Sequence, residues 1–180
     1  MGGNTRENTK ILKQAIQHYL HIDVSGLYGQ HKLDTGVACV STDGAFQCGT
    51  TLSKELKKNL RKFVKDDFAQ LHAIIIHLLL SKAPLEQYSG LVICNDADYN
   101  RICYFLDELF KNNAHYQKLN KYSVTKLREV LGNPDVNSLA DGQAKSFRKR
   151  GLRIHQRIKE PSLNYLPVNF GYIKSKWKEK

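Results

Sequence analysis

Four aspartates stand where a folded chain places acid only for a reason. Asp23 lies inside the alternating run Leu20, His21, Ile22, Asp23, Val24, although Asp is depleted in strands. Alternation sets it opposite Ile22 and Val24, on a face that a central strand would bury. Asp67 falls on the apolar stripe of Leu60, Leu71 and Leu78 at about 100° per residue. Asp66 aligns instead with the polar Asn59, Lys62, Gln70 and His77 and reads as solvent-facing. A carboxylate on the apolar stripe needs a cation or hydrogen-bond donors nearby. Asp96 follows the apolar run Leu91 to Cys94, the place where open α/β sheets bind ligands. Asp141 stands among Leu139, Ala140 and Ala144. Carboxylate oxygens are hard donors of the kind that suits Mg²⁺ or Mn²⁺.

Each aspartate also has a plainer explanation. Asp23 could accept hydrogen bonds from the glycine-containing turn after it, and Asp67 could pair with Lys62 or Lys65. Asp96 and Asp98 could be turn and capping residues, and Asp141 could sit in a helix's first turn, favoured by the dipole.

The elements that must position these residues follow from periodicity. Helical spacing marks residues 5–17 as a short leading helix, and residues 19–25 alternate as a strand. A polar connection containing Gly26, Gly29 and Asp34 covers 26–36. Strands over 37–41 and 46–52 are joined by an Asp43-Gly44 turn, a good hairpin signal. Ser53 caps one long helix predicted to reach residue 82, and Pro84 marks its end. The run over 91–94 is of the buried, parallel kind, and a helix over 99–111 follows. Residues 116–124 hold another strand, and 125–131 form a short helix or a strand. A third main helix covers 136–150, stopped by Gly151. The last thirty residues, with Pro161, Pro167, Tyr165, Phe170, Tyr172 and Trp177, show no period. The organisation is a lead segment at 1–18, a domain at 19–150 and a basic, aromatic tail at 151–180.

Composition narrows the functional classes. No apolar run approaches the roughly 18 to 20 residues needed to cross a bilayer, and residues 1–10 contain no apolar signal-peptide core. Cys39, Cys48, Cys94 and Cys103 form no Cys-x-x-Cys pair, so a reduced, cytoplasmic protein is the simplest expectation. Neither a glycine-rich nucleotide loop nor a Ser-His-Asp or Cys-His arrangement is legible. The net charge is +11, and residues 145–180 carry eleven Lys or Arg against Glu160 and Glu179. A strongly basic end on a nearly balanced body points to a polyanion partner, commonly nucleic acid.

The residues and their order resemble the ribonuclease H-like superfamily. Ile22-Asp23-Val24-Ser25-Gly26 is similar to the family's first-strand Asp followed by small residues. Asn95-Asp96-Ala97-Asp98-Tyr99 resembles its fourth-strand motif, an Asp with a Tyr three positions later opening a helix. Val130-Leu131-Gly132-Asn133, followed by Asn137-Ser138-Leu139-Ala140-Asp141-Gly142-Gln143-Ala144, resembles its late motif, with Asn133 where the family has His. The resemblance implies an α/β fold with a mixed five-stranded sheet, in the order β-β-β-α-β-α-β-α, flanked by helices.

It also implies a divalent-metal-dependent nuclease hydrolysing DNA or RNA phosphodiesters, nearer a nuclease or resolvase branch than ribonuclease H proper. Two ions, Mg²⁺ or Mn²⁺, would lie about 4 Å apart. Asp23 would bridge them, with Asp67 and Asp96 to one side and Asp141 to the other. The first-helix acid is a Glu in the best-known branch, so Asp66 or Glu55 could replace Asp67. In that picture Arg148, Lys149, Arg150, Arg153 and Arg157 grip backbone phosphate, and Trp177 stacks on unpaired bases. The aromatics Phe170 and Tyr172 read more readily as packing. Nucleic acid is the expected partner, no membrane is expected, and an oligomer is possible. Two other classes stay open: a non-catalytic nucleic-acid-binding module on the same fold, and an assembly subunit whose basic tail docks an acidic partner.

Overall fold

The computed structural model describes residues 18–30, 32–94, 97–131, 138–150 and 164–178. The expected leading helix over 5–17, together with Asp96, Arg153 and Arg157, lies outside them. Alternating apolar residues make β1 (Tyr19–Ser25), β2 (Thr35–Ser41) and β3 (Gln47–Leu52) an antiparallel meander. β4 (Gly90–Ile93) then returns parallel to β1, and β5 (Asn120–Ser123) lies parallel to β4. The result is a mixed α/β sheet in the order 3-2-1-4-5. A two-residue strand β6 (Asn164–Tyr165) runs parallel to β3 at its outer edge. β1, the strand that carries Asp23, is therefore interior, with neighbours on both sides.

Helices cover both faces. α1 (Lys54–Val64) and α2 (Phe68–Leu80) follow β3, and α3 (Tyr99–Leu109) follows β4. α4 (Ala114–Gln117) and α5 (Val124–Leu131) flank β5, and α6 (Ser138–Arg150) and α7 (Phe170–Lys176) come last. The pleat separates the two layers, because side chains alternate along a strand. Leu20, Ile22, Val37, Cys39 and Cys48 join the main core with Ile74, Ile75 and Leu79 of α2. Ala38, on the opposite side of β2, packs with Ala144 and Phe147 of α6. Among the described residues no helix is long and apolar enough to cross a membrane.

The single helix expected over 53–82 is two helices. Lys65 and Asp66 adopt left-handed backbone, with φ of 46° and 64°. Asp67 then caps α2, accepting from the Gln70 N–H at 3.3 Å. An Asp side chain offers the backbone a local acceptor that competes with continuing the helix, and at Asp67 this restarts the chain in a new direction. Ser53 caps α1 as expected, accepting from Leu56 N–H at 3.1 Å. The strand expected over 116–124 is shorter, because α4 takes residues 114–117 before β5 begins.

Within the stretch without legible period, residues 164–178 contain regular elements. After β6, α7 lays the buried Ile173 into the core, while Phe170 and Trp177 pack on Phe63 of α1 at 5.4 and 5.2 Å between ring centroids. Residues 164–178 thus form part of the body.

Buried His72 of α2 gives the fold a pH dependence. It is hydrogen-bonded through Nδ1 to the Tyr28 hydroxyl, and burial lowers its pKa to about 3. An unfolded histidine titrates near 6.5, so between those values the unfolded chain binds the extra proton. Stability is therefore fully present above the unfolded value and falls as pH drops. At pH 5 the loss from this one group is about 2 kcal/mol. Urea unfolding at pH 7 and pH 5 should show it, with a flatter dependence in His72→Asn; equal slopes would assign the acid sensitivity elsewhere.

Candidate active site

Strand register places Asp23 on the α6 side of the sheet. Asp23 pairs with Ala38 of β2, and Ala38 pairs with Gly49 of β3, so the three share a face. α6 lies close against this row because the row is small. A Cβ on Gly49 would fall 2.1 Å from the Phe147 ring, and one on Gly36 would fall 2.2 Å from the Ala144 carbonyl oxygen. Two polar contacts fix the helix along its length. Gln143 Nε2 donates to Gln47 Oε1 at 3.1 Å, and Thr51 Oγ1 donates to the Phe147 carbonyl at 2.9 Å.

Asp141, Lys145 and Arg148 are spaced by four and three residues, which sets them on neighbouring turns of one helical face. Lys145 Nζ donates to Asp141 Oδ2 at 2.5 Å. This hydrogen bond, then the Asp141 charge, and more weakly the Asp23 charge, hold the Lys145 pKa above its ordinary value. Two carboxylates separated by 118 positions in sequence thus act on one ammonium. Asp23 itself is buried, at 8 % exposure, and accepts the Val24 N–H at 2.8 Å. Asp141 and Lys145 are much more open, with side chains 40 % and 57 % exposed, so their pair adds little to stability.

Arg148 reaches toward the end of β1. Its Cδ and Nε lie 3.3 Å from where a Gly26 Cβ would be, and Gly26 turns the chain at φ +89°. The adjoining connection is clamped from below by Lys57 of α1. This buried ammonium donates to the carbonyls of Leu27 and Gln30, at 3.3 and 2.5 Å, and to Thr35 Oγ1 at 2.9 Å. Burial lowers the Lys57 pKa, the Asp34 charge opposes that, and the Arg148 charge adds to it.

The other expected site residues are placed differently. Asp67 sits at the α2 N-cap and accepts from Arg101 of α3 in an ion pair at 2.6 Å. The cation that its burial demands is thus a side chain 34 positions away, rather than Lys62 or Lys65. Asp66 and Glu55 are exposed. Asp98 caps α3 through the N–H groups of Asn100 and Arg101. Asp96 lies outside the described residues, two positions past Cys94, which follows β4. Lys149 is exposed, and Arg150 is the final residue of α6. Lys145 is a site residue that the sequence reading leaves within the general basic end; its four-residue spacing from Asp141 is the signal that marks it.

Among the described residues, no group of three or more His, Cys, Asp or Glu side chains is arranged to hold a metal ion. The Asp23 and Asp141 pair nevertheless fits a hard cation in kind. Its donors are all oxygen, a positive group already sits against Asp141, and Mg²⁺ is often held by only one or two carboxylates with water and substrate phosphate. No family model matches this chain, and no curated protein matches it.

Proposed function

We propose that this protein is a divalent-metal-dependent nuclease of ribonuclease H-like architecture, hydrolysing phosphodiester bonds of DNA or RNA. The observation that carries the reading is that Asp23, on the interior strand, lies on the sheet face that α6 covers, the helix bearing Asp141 and Lys145. Fold order 3-2-1-4-5 with α6 across the face of β1 and β2 supports it. Asp23 and Asp141 would hold Mg²⁺ or Mn²⁺, with Asp96 as a third donor and Asp67 held back by Arg101. When bound, such a cation stabilises phosphoryl charge and lowers the pKa of an attacking water.

The remaining work falls to the chain's own groups. The Lys145 ammonium pairs with the Asp141 carboxylate and places a positive charge on the α6 side of the sheet. Arg148, at the end of β1, offers a guanidinium for a phosphate oxygen. Lys149 extends that positive surface along α6.

A second reading, a module that binds nucleic acid without cutting it, has one observation in its favour. Lys145 already pairs with Asp141, so that carboxylate has a cationic partner without metal. Incubation with labelled single- and double-stranded DNA and RNA, in Mn²⁺, Mg²⁺ or EDTA, separates the two. Cleavage that EDTA stops supports the nuclease. Salt-sensitive binding with no cleavage in either metal leaves the binding module.

A further inference from the structure

A cavity of about 440 Å³ opens between α1, the start of α2 and the end of α7, well away in sequence from Asp23 and Asp141. We propose that it binds one unpaired base and its phosphate from single-stranded nucleic acid. This deepens the nucleic-acid reading above by naming a strand class and a second contact point.

The lining combines the two chemistries that such a ligand requires. Trp177 and Phe63 supply aromatic rings, 5.2 Å apart between centroids and tilted by 52°. Lys62, Lys65 and Lys178 supply ammonium groups around them, all on exposed residues. Base stacking on an aromatic ring is sequence-tolerant, and lysines beside it track the backbone. The volume falls in the range of small-ligand pockets, roughly 300–1,000 Å³.

Both sides of Trp177 are tied down. Its N–H donates to the Lys174 carbonyl at 3.2 Å, and the next carbonyl, that of Lys178, accepts from Gln70 Nε2 at 3.2 Å. Gln70 is itself only 2 % exposed and lines the cavity. A ring positioned in advance loses less freedom when a base stacks on it. Two of the acids nearby are paired, Asp67 with Arg101 and Glu108 with Lys178, and the exposed Asp66 stands beside Lys65. Lys62 and Lys65, with no acid in an ion pair to them among the described residues, remain available to a phosphate at the cavity mouth.

Trp177 is the only tryptophan in the chain, so its fluorescence reports this site alone. Titration with oligo(deoxythymidylate) in EDTA at low salt should quench it saturably. Paired duplex should quench far less. The double substitution Lys62→Ala/Lys65→Ala should weaken binding about tenfold and reduce its salt dependence. Trp177→Ala should weaken binding of a dye-labelled strand by roughly 5- to 150-fold, the worth of one stacked base. Asp23→Asn should leave the quench unchanged.

Labelled strand that binds without altering Trp177 fluorescence, and equally in the double variant, would overturn this site while leaving the nuclease untouched. Equal quenching by duplex would overturn the single-strand assignment. Retained quenching without metal-dependent cleavage would remove the nuclease reading alone. No binding of any strand at low salt would remove both.

Discussion

Asp23→Asn is expected to reduce metal-dependent cleavage by roughly 100-fold or more, since even outer-shell partners of a metal site cost 10- to 100-fold. Asparagine has nearly the same shape and keeps an oxygen for the Val24 N–H. What disappears is the charge on the interior strand, together with its pull on Lys145. A melting temperature close to the parent's would show that folding survives, so that the lost rate belongs to the site. Asp141→Asn should act in the same direction. An unchanged cleavage rate in Asp23→Asn would remove this carboxylate from the chemistry.

The second large effect concerns a glycine. Gly36→Ala is expected to destabilise the protein by about 3 kcal/mol, the upper end for overpacking. The new methyl would stand 2.2 Å from the Ala144 carbonyl oxygen and 2.4 Å from the Arg148 nitrogen. Both obstacles are backbone, so no rotamer change relieves them and α6 must lift from β2. That shift carries Asp141 and Lys145 away from β1, and cleavage should fall further than the loss of stability explains. Gly142→Ala is the control on the same helix. Nothing lies within 4 Å of its would-be methyl, so it should stabilise by roughly 0.5–1 kcal/mol. Urea unfolding of the two variants gives both numbers. Equal stability of Gly36→Ala and the parent would mean that α6 does not rest against β2 as described.

The meander and β4 were legible in the sequence because apolar alternation and the Asp43-Gly44 turn are local signals. α6 was legible too, within two residues of its start. The break at Lys65 and Asp66 was not, because apolar residues at helical spacing run on through it from Leu60 to Leu71. Only the capping geometry of Asp67 reveals it. Arg101 as the partner of Asp67 was out of reach for another reason: it arrives from a helix 34 positions later. Asp23 on a buried strand face and Asp141 within the late helix were legible from alternation and from the apolar residues around Asp141. That both lie on the α6 side of the sheet depends on register, which sets Ala38 and Gly49 beside Asp23 and leaves room for α6. Small residues in a strand look like weak strand formers until their neighbours are known.

The short strand β6 also changes what the margin of the sheet presents to a second chain. A strand at the margin of a sheet presents open hydrogen-bonding groups, a template on which another chain can extend. β6 lies along that margin at Cys48 and Gly49, and Leu166 donates to the Gly49 carbonyl at 2.9 Å. Leading on into α7 and its packing against Phe63, this pairing covers β3 at Cys48 and Gly49 and leaves a strand of two residues as the margin, a short template for a second chain.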